Sequence, residues 1–243
     1  MEAMLFAAGI GSRLRPLTDV MSKALVPVAG RPLIDIVLER MKFFGVQHVV
    51  VNVHHFSEQV INHLQQRDYG LRIDISDESA ELLDTGGGLK KASALFKNAD
   101  APILLHNVDI LSNVDLGSFY AQHRACDAAL LVSERTTSRY LLFDDEMRLQ
   151  GWTNVDTGEV RSPHARLDVS SCRRLAFAGI HLFSPRLFPL LDAFPDKFSI
   201  IDFYLSVCHR VAVTGVNLPT LKLLDVGKQN TLARAQSFLE ELN

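Results

Sequence analysis

The residues best suited to chemistry lie in one short stretch near the amino end of the chain. An apolar run leads into a small-residue loop and then into basic side chains, and these residues in order are Ala7, Ala8, Gly9, Gly11, Ser12, Arg13, Arg15 and Lys23. Small residues let a backbone approach a ligand closely, and successive N–H groups in such a loop form a concave anion site. With basic side chains directly behind it, the stretch fits a polyphosphate better than other common ligands.

Two familiar phosphate-binding patterns fit this stretch poorly. A Walker A loop requires a lysine directly after its last glycine, and Lys23 lies too far from Gly9 and Gly11. A dinucleotide-binding loop requires three glycines, and Leu14 stands at the third position. No acidic residue is placed to bind a ribose after the apolar run His48–Val53. Both interpretations are therefore weak.

Two aspartates are placed to hold a metal ion. Asp109 comes just after an apolar run, and Asp225 follows the apolar run Leu221–Leu224 in the same way. Open α/β sheets bind ligands at the carboxyl ends of their strands, and Mg²⁺ reaches phosphates through one or two carboxylates. Each aspartate also has an ordinary structural interpretation, in which Asp109 caps a turn and Asp225 begins the loop into a helix.

The elements that must position these residues alternate between strands and helices. Buried strands are predicted at Ala3–Ala8, His48–Val53, Leu71–Ile75 and Pro102–Leu105, and helices from Pro32, over Ser57–Arg67, and after Thr85-Gly86-Gly87-Gly88 through Leu95. This alternation is typical of βαβ units in a parallel sheet.

The second half of the chain has a different pattern. A meander is predicted from Ala128–Ser133, Tyr140–Phe143 and Leu149–Asn154, followed by a strand at Phe177–Phe183, a helix at Ser199–Cys208, a strand at Leu221–Leu224 and a helix around Leu232–Leu242. No linker rich in Pro, Gly or Ser divides the 243 residues. We therefore expect one domain.

Composition excludes several classes of protein. A formal net charge of −3 gives no general attraction to nucleic acid, and no apolar run has the length of a membrane span. The amino-terminal run lacks the basic segment of a signal peptide. The three cysteines, Cys126, Cys172 and Cys208, form no C-x-x-C pair. We expect a reduced, cytoplasmic protein without disulfides, and the oligomeric state stays open.

The stretch Phe6–Thr18, with Lys23 and Pro27 after it, resembles the signature of the sugar-1-phosphate nucleotidyltransferases. Further pieces follow in the family's order, namely Asp84-Thr85-Gly86-Gly87-Gly88, Asn107-Val108-Asp109, Phe177-Ala178-Gly179-Ile180 and Asp225-Val226-Gly227. The chain is similar to the short members, such as N-acetylmuramate 1-phosphate uridylyltransferases and mannose- or heptose-1-phosphate guanylyltransferases. The resemblance implies transfer of a nucleotidyl group from a nucleoside triphosphate to a sugar 1-phosphate, with release of pyrophosphate.

The resemblance also implies an architecture. It is a Rossmann-like three-layer α/β fold with a mostly parallel mixed central sheet. We expect residues 1–243 to form a single domain, in which 1–125 bind the nucleotide and 126–243 bind the sugar.

The resemblance assigns roles to individual residues. Arg13 and Lys23 clamp the triphosphate, backbone N–H groups of Gly9, Gly11 and Ser12 cradle it, and Asp109 and Asp225 hold Mg²⁺. The nucleobase is expected between Ala7-Ala8-Gly9 and a Gly86-Gly87 loop, with Glu78 or Asp84 either adding a contact or standing as solvated acids. The sugar is expected at Asn107, Gly179 and Asp202.

One residue departs from the family pattern. Val108 stands where the family has glycine before its aspartate, and a β-branched residue does not easily adopt a positive φ. This departure keeps open a non-catalytic protein that senses nucleotides or sugar phosphates. Within the transferase class, a choline-phosphate cytidylyltransferase also stays open. The base and the sugar are not fixed by the sequence.

Overall fold

A computed structural model describes residues 1–242 as a mixed α/β fold. The strands are β1 (Glu2–Phe6), β2 (Pro27–Val28), β3 (Arg31–Pro32), β4 (His48–Val53), β5 (Arg72–Asp77), β6 (Ile103–Asn107), β7 (Ile110–Ser112), β8 (Ala128–Ser133), β9 (Arg139–Phe143), β10 (Leu149–Asn154), β11 (Glu159–Arg161), β12 (Arg173–Phe183), β13 (Val213–Asn217) and β14 (Leu223–Asp225). The α-helices are α1 (Leu33–Phe43), α2 (Ser57–Gln65), α3 (Asp84–Ala92), α4 (Leu116–His123), α5 (Phe188–Leu191), α6 (Ile200–Val207) and α7 (Gln229–Glu240).

Four parallel strands form the centre of the main sheet, in the order β6-β1-β4-β5. The near-continuous apolar sequences of β1, β4 and β6 match burial on both faces, whereas β5 lies at the edge. β12 continues the sheet antiparallel to β6, and β9, β10 and β11 follow it, while β8 and β13 branch from β12. The α/β class and the mixed sheet predicted from the sequence are confirmed.

Helices cover both faces of this sheet and give three layers. On one face, α1, α2, α4 and α7 pack over a core that includes Leu5, Val51 and Leu104. On the other face, α3, α5 and α6 pack over a core that includes Met4 and Leu105. Alternate residues of β1 and β6 thus enter opposite cores, as the period of two in a strand requires.

The predicted meander is partly wrong. Strand β8 does not pair with β9; it pairs with β12 and β13, and the third strand of the meander is β11. The cause is the long strand β12, which inserts between the two and pairs with both. Gly179 has a φ of 75° at the point where the register of β12 shifts, so the strand bends there.

The glycine-rich segment 86–88 is helix rather than loop. Helix α3 begins at Asp84 and includes all three glycines. Other boundaries differ from the predictions by a few residues. No helix within residues 1–242 is both long enough and apolar enough to cross a membrane.

Candidate functional site

The candidate site lies where the central sheet reverses its strand order. Strand β1 has β4 on one side and β6 on the other, and the chain reaches β6 only after passing through β4 and β5. Ligands in open α/β sheets bind at such a point, beyond the carboxyl ends of the strands. A first cleft of about 210 Å³ opens there. Its lining residues are Phe6, Ala8, Gly9, Lys23, Asn52, Leu82, Asp84, Thr85, Asn107, Val108 and Asp109.

A chain of buried hydrogen bonds holds the loop after β1. The backbone N–H of Ala7 donates to Asn52 Oδ1 at 2.8 Å, and Asn52 Nδ2 donates to Glu78 Oε1 at 2.7 Å. Glu78 Oε2 accepts the N–H of Leu83 at 3.1 Å. Burial raises the pKa of the Glu78 carboxyl above its ordinary value. Glu78 is therefore an internal anchor for Asn52, and its interpretation as a solvated acid is wrong.

Gly11 shapes the rest of this loop. Its φ is 70°, and Thr18 Oγ1 donates to its carbonyl oxygen at 2.8 Å. A Cβ at this position would lie 2.8 Å from Thr18 Cγ2 and 3.0 Å from Lys23 Cβ. Only glycine fits both the backbone conformation and the space. Ser12 and Arg13 follow in a short exposed 3₁₀ turn.

Four charged side chains, Arg13, Lys23, Asp109 and Asp225, converge beside the first cleft and are called here the charge cluster. Lys23 Nζ contacts Asp109 Oδ2 directly, and both side chains are largely buried. A Cβ built on Gly227 would lie 2.7 Å from Asp225 Oδ1, 2.8 Å from Arg13 Nη2 and 3.1 Å from Asp109 Oδ2. Asp225, Arg13 and Asp109 therefore lie around Gly227, and Lys23 joins them through its contact with Asp109.

Strand pairing brings the two aspartates together. Strands β7 and β14 are antiparallel, with Asp225 opposite Ile110, and the N–H of Val226 donates to the carbonyl oxygen of Asp109 at 2.8 Å. The ordinary interpretations of a turn cap and a helix-entry loop do not explain this convergence. Asp225 Oδ1 does accept the N–H of Gly227 at 2.8 Å, so its carboxylate is also held in place.

The charge cluster contains two carboxylates, which is fewer than a complete set of protein ligands for a metal ion. Within residues 1–242, no group of three or more His, Cys, Asp and Glu side chains could hold a metal. Mg²⁺ is bound in just this way elsewhere, through one or two carboxylates with substrate phosphates and water as the other ligands. The donors present therefore fit a divalent ion that arrives with a phosphorylated ligand.

Gly86 and Gly87 do not face the first cleft as predicted. Their N–H groups both donate to the carbonyl oxygen of Phe198, at 2.9 and 3.2 Å. A Cβ on Gly86 would meet the ring of Phe198, and one on Gly87 would lie 2.0 Å from the carbonyl oxygen of Asp196. These glycines let α3 pack against the segment before α6, and their neighbours Asp84 and Thr85 line the cleft instead.

The three residues predicted for the sugar are divided between two places. Asn107 lines the first cleft, and a Cβ on Gly179 would lie 2.9 Å from Asn107 Nδ2, so these two are neighbours. Asp202 lies elsewhere, on α6, where its Oδ1 accepts a hydrogen bond from Arg161 Nη1 at 2.5 Å. Its carboxylate belongs to a different depression in the surface.

This second cleft has a volume of about 510 Å³. Its lining residues are Arg135, Thr137, Arg139, Leu141, Trp152, Asn154, Glu159, Arg161, Phe177, Ser199 and Ile201. The two clefts adjoin, because Thr85 Oγ1 of the first accepts the N–H of Ile200, which lies between Ser199 and Ile201 of the second. Sequence reasoning missed this cleft and also missed Asn52 and Gly227.

Val108 fits its position without backbone strain. The φ of Val108 is not positive. Its N–H donates to the carbonyl oxygen of Phe6 at 3.1 Å, and its side chain is buried. The conformational objection to a valine here therefore does not apply.

Comparison with known proteins identifies the family of this chain. The model of the nucleotidyl transferase family matches residues 2–140. The N-acetylmuramate alpha-1-phosphate uridylyltransferase of Caulobacter vibrioides is 34% identical over 98% of this chain and 97% of its own length. The enzyme of that name from Neisseria meningitidis serogroup B is 31% identical over 79% of each chain. The crystal structure of HddC from Yersinia pseudotuberculosis shares the fold, with a TM-score of 0.77 at 18% identity and coverage of 98% of this chain and 99% of that one. The resemblance inferred from the motifs is confirmed, and the chain belongs to the nucleotidyl transferase family.

Proposed function

We propose that this protein transfers a nucleotidyl group from a nucleoside triphosphate to a sugar 1-phosphate and releases pyrophosphate. The observation that carries the proposal is the convergence of Arg13, Asp109 and Asp225 around Gly227, with Lys23 in contact with Asp109, beside a cleft at the reversal point of the sheet. Family membership and the names of the full-length relatives support the same reaction.

The reaction requires positioning and charge stabilisation more than proton transfer. A sugar phosphate is already an anionic nucleophile near neutral pH, so no general base is required. Its oxygen forms a bond to the α-phosphorus, and the bond from that phosphorus to the pyrophosphate oxygen breaks. Negative charge grows on the leaving pyrophosphate, and catalysis consists mainly of alignment and electrostatic stabilisation.

Different residues have different roles in this reaction. Arg13 and Lys23 supply positive charge to the triphosphate and to the leaving pyrophosphate. The loop from Ala7 to Ser12 provides backbone N–H groups, and Asn52 holds the start of this loop rigid through Ala7. Asn107 and Gly179 lie next to the charge cluster and face the incoming sugar phosphate.

Asp109 and Asp225 are the residues that would hold a divalent cation. A divalent ion held by these carboxylates would supply positive charge against the phosphate oxygens. Lys23 already contacts Asp109 and keeps this carboxylate from standing uncompensated before substrate arrives. Mg²⁺ is the ion that we propose.

The relatives guide the choice of substrates. Both of these relatives are named as uridylyltransferases, so UTP is the first nucleotide to test, with GTP as the alternative implied by the resemblance to guanylyltransferases. The test is pyrophosphate release over a grid of UTP, GTP, CTP, ATP and dTTP against several sugar 1-phosphates and phosphocholine, with Mg²⁺ and with EDTA. We expect turnover that requires the metal and a sugar 1-phosphate.

Each alternative gives a distinct result in that grid. Saturable nucleotide binding without turnover in any combination would contradict the proposal and favour a sensing protein. Turnover with CTP and phosphocholine alone would favour a cytidylyltransferase. The variant Asp225→Asn is the negative control, because it removes one carboxylate charge with little change of shape.

A further inference from the structure

Residues 17–22 directly precede Lys23 and are called here the connecting segment. Val20, near the middle of the segment, is 67% exposed. The backbone bonds of the segment form one short turn, in which the N–H of Asp19 donates to Pro16 and that of Val20 donates to Leu17. Such a turn fixes local shape but not the place of the segment on the protein. The position of the segment therefore depends on contacts with other elements.

Helix α2 supplies two of these contacts through one side chain. Gln59 Nε2 donates to the carbonyl oxygen of Val20 at 3.0 Å, and Gln59 Oε1 accepts the N–H of Ser22 at 3.2 Å. A glutamine amide carries both a donor and an acceptor, so a single side chain can hold two backbone groups of opposite kind. Ser22 is fully buried and begins the short 3₁₀ turn Lys23–Leu25. Gln59 therefore fixes the backbone directly before the lysine.

The loop between β4 and α2 adds a third contact. His55 Nε2 donates to the carbonyl oxygen of Thr18 at 3.1 Å. The next residue, Phe56, has a φ of 51°, which a bulky side chain rarely adopts. Backbone outliers of this kind persist where the surrounding structure requires them. The entry into α2 is therefore shaped to meet the connecting segment.

Hydrogen bonds from these two side chains are what join the connecting segment to the rest of the protein. Within residues 1–242, His55 and Gln59 make the only hydrogen bonds between the segment and residues outside 11–26. The side chain of Lys23 continues from the segment to Asp109, and both charged side chains are largely buried. Because burial restricts the lysine side chain, a shift of the backbone before it also shifts its ammonium.

We propose that Gln59 is a positioning residue for Lys23, and that its two hydrogen bonds set where the ammonium lies beside Asp109 and the triphosphate. This inference rests on the proposed function, in which Lys23 compensates charge on the leaving pyrophosphate. Gln59 lines neither cleft, so its effect on the reaction passes through the lysine. A misplacement of about 1 Å in a group that stabilises charge can cost a large part of its contribution to the rate.

Two variants of Gln59 remove its hydrogen bonds in different combinations. Gln59→Leu removes both with little change of volume, and Gln59→Glu keeps the acceptor for Ser22 but loses the donor to Val20. We expect kcat for pyrophosphate release to fall about 10-fold in Gln59→Leu and by less in Gln59→Glu. The KM for the sugar phosphate should not change. Gln65→Leu, the same substitution at an exposed position of the same helix, is the control and should keep the wild-type kcat.

A double-mutant cycle separates positioning of Lys23 from a general structural effect. In protein that already carries Lys23→Gln, the change Gln59→Leu should alter kcat by less than about 2-fold, because the group that it positions is absent. An equal loss in both backgrounds would overturn the inference, and so would a wild-type kcat in Gln59→Leu. If Gln59→Leu does not fold, Gln59→Glu is taken through the same cycle with the same criteria.

A binding measurement decides the case in which no turnover occurs. Failure of every substrate pair to release pyrophosphate would refute the proposed function. Calorimetric titration of inorganic pyrophosphate, in the presence of Mg²⁺, would then test the inference by itself. Weaker binding in Gln59→Leu, with no further weakening when the change is added to Lys23→Gln, would support it. Equal affinity of the wild type and Gln59→Leu for pyrophosphate would overturn it.

Discussion

The two clefts of this protein are built from opposite kinds of chain organisation. The charge cluster beside the first cleft gathers four side chains from loops far apart in sequence, and its positive and negative charges lie side by side. The second cleft takes most of its wall from three adjacent strands of one meander, and its charges are not balanced.

This contrast separates reaction from selectivity. A balanced cluster of cations and carboxylates suits charge that moves during phosphoryl transfer, because each group already has a compensating neighbour before the substrate arrives. The second cleft has a small net positive charge instead, because its three arginines stand against Glu159 and Asp202. We therefore expect changes in the first cleft to alter kcat and changes in the second to alter discrimination between sugars.

The largest effect should come from the carboxylates of the charge cluster. Asp109→Asn and Asp225→Asn should each lower kcat for pyrophosphate release by about 10²–10³-fold, because each removes a charge that holds the metal. Steady-state kinetics with the best substrate pair measures this. Asp156→Asn, at an exposed turn, is the control, and either variant keeping more than a tenth of wild-type activity would contradict the assignment.

The next largest effect on kcat should come from the two basic side chains of the charge cluster. Lys23→Gln and Arg13→Gln should each lower kcat by about 10²-fold, because the leaving pyrophosphate loses one compensating charge. A change confined to KM for the nucleotide would instead assign these residues to binding alone. The sugar preference should not change in either variant, which would keep the two clefts functionally separate.

A smaller effect should come from the buried support of the first cleft. Asn52→Leu leaves the N–H of Ala7 and the carboxyl of Glu78 without their partner, and we expect the free energy of unfolding to fall by about 1–3 kcal/mol. Urea denaturation measures this, and activity should fall with it. Asn62→Ala, on the exposed face of α2, should change neither property.

The effect that is smallest near neutral pH concerns a buried histidine near each cleft. Burial lowers the pKa of His106, next to Asn107, to about 4, and that of His181, whose ring lies 5.2 Å from the ring of Phe177, to about 3. Both should titrate near pH 6.5 when unfolded, so the unfolded state binds more protons below that pH. Stability should be complete above pH 6.5 and fall as the pH drops below it.

The slope should be at most about 1.4 kcal/mol per pH unit for each histidine. The ring nitrogens of His181 have no hydrogen-bond partner, whereas Nδ1 of His106 lies 2.8 Å from the carbonyl oxygen of Asn107. His181→Phe should therefore flatten the acid dependence of the unfolding free energy without a large loss of stability at pH 8. An unchanged slope would show that His181 does not contribute to the acid dependence of the unfolding free energy.

Many candidate residues at the first cleft could be predicted, because they occur in short sequence motifs. Gly11, Lys23, Asp109 and Asp225 were singled out by motifs that resemble those of the family, and the structure brings Lys23, Asp109 and Asp225 together. Asn52 was not, because a single buried asparagine in a strand has no distinctive pattern. Gly86 and Gly87 were misplaced, because helix packing can require glycine as readily as a ligand does.

The second cleft could not be predicted from the sequence, and the reason is physical. Its lining residues share one face of the sheet because β9, β10 and β11 pair in a particular register. Strand β12 separates these strands from β8. The sequence by itself determined the alternation of strands and helices, the phosphate loop and the two metal-binding candidates, because local spacing encodes these features. Only the tertiary structure decided which charges meet, since long-range pairing brings Asp225 to Asp109 and Asp202 to Arg161.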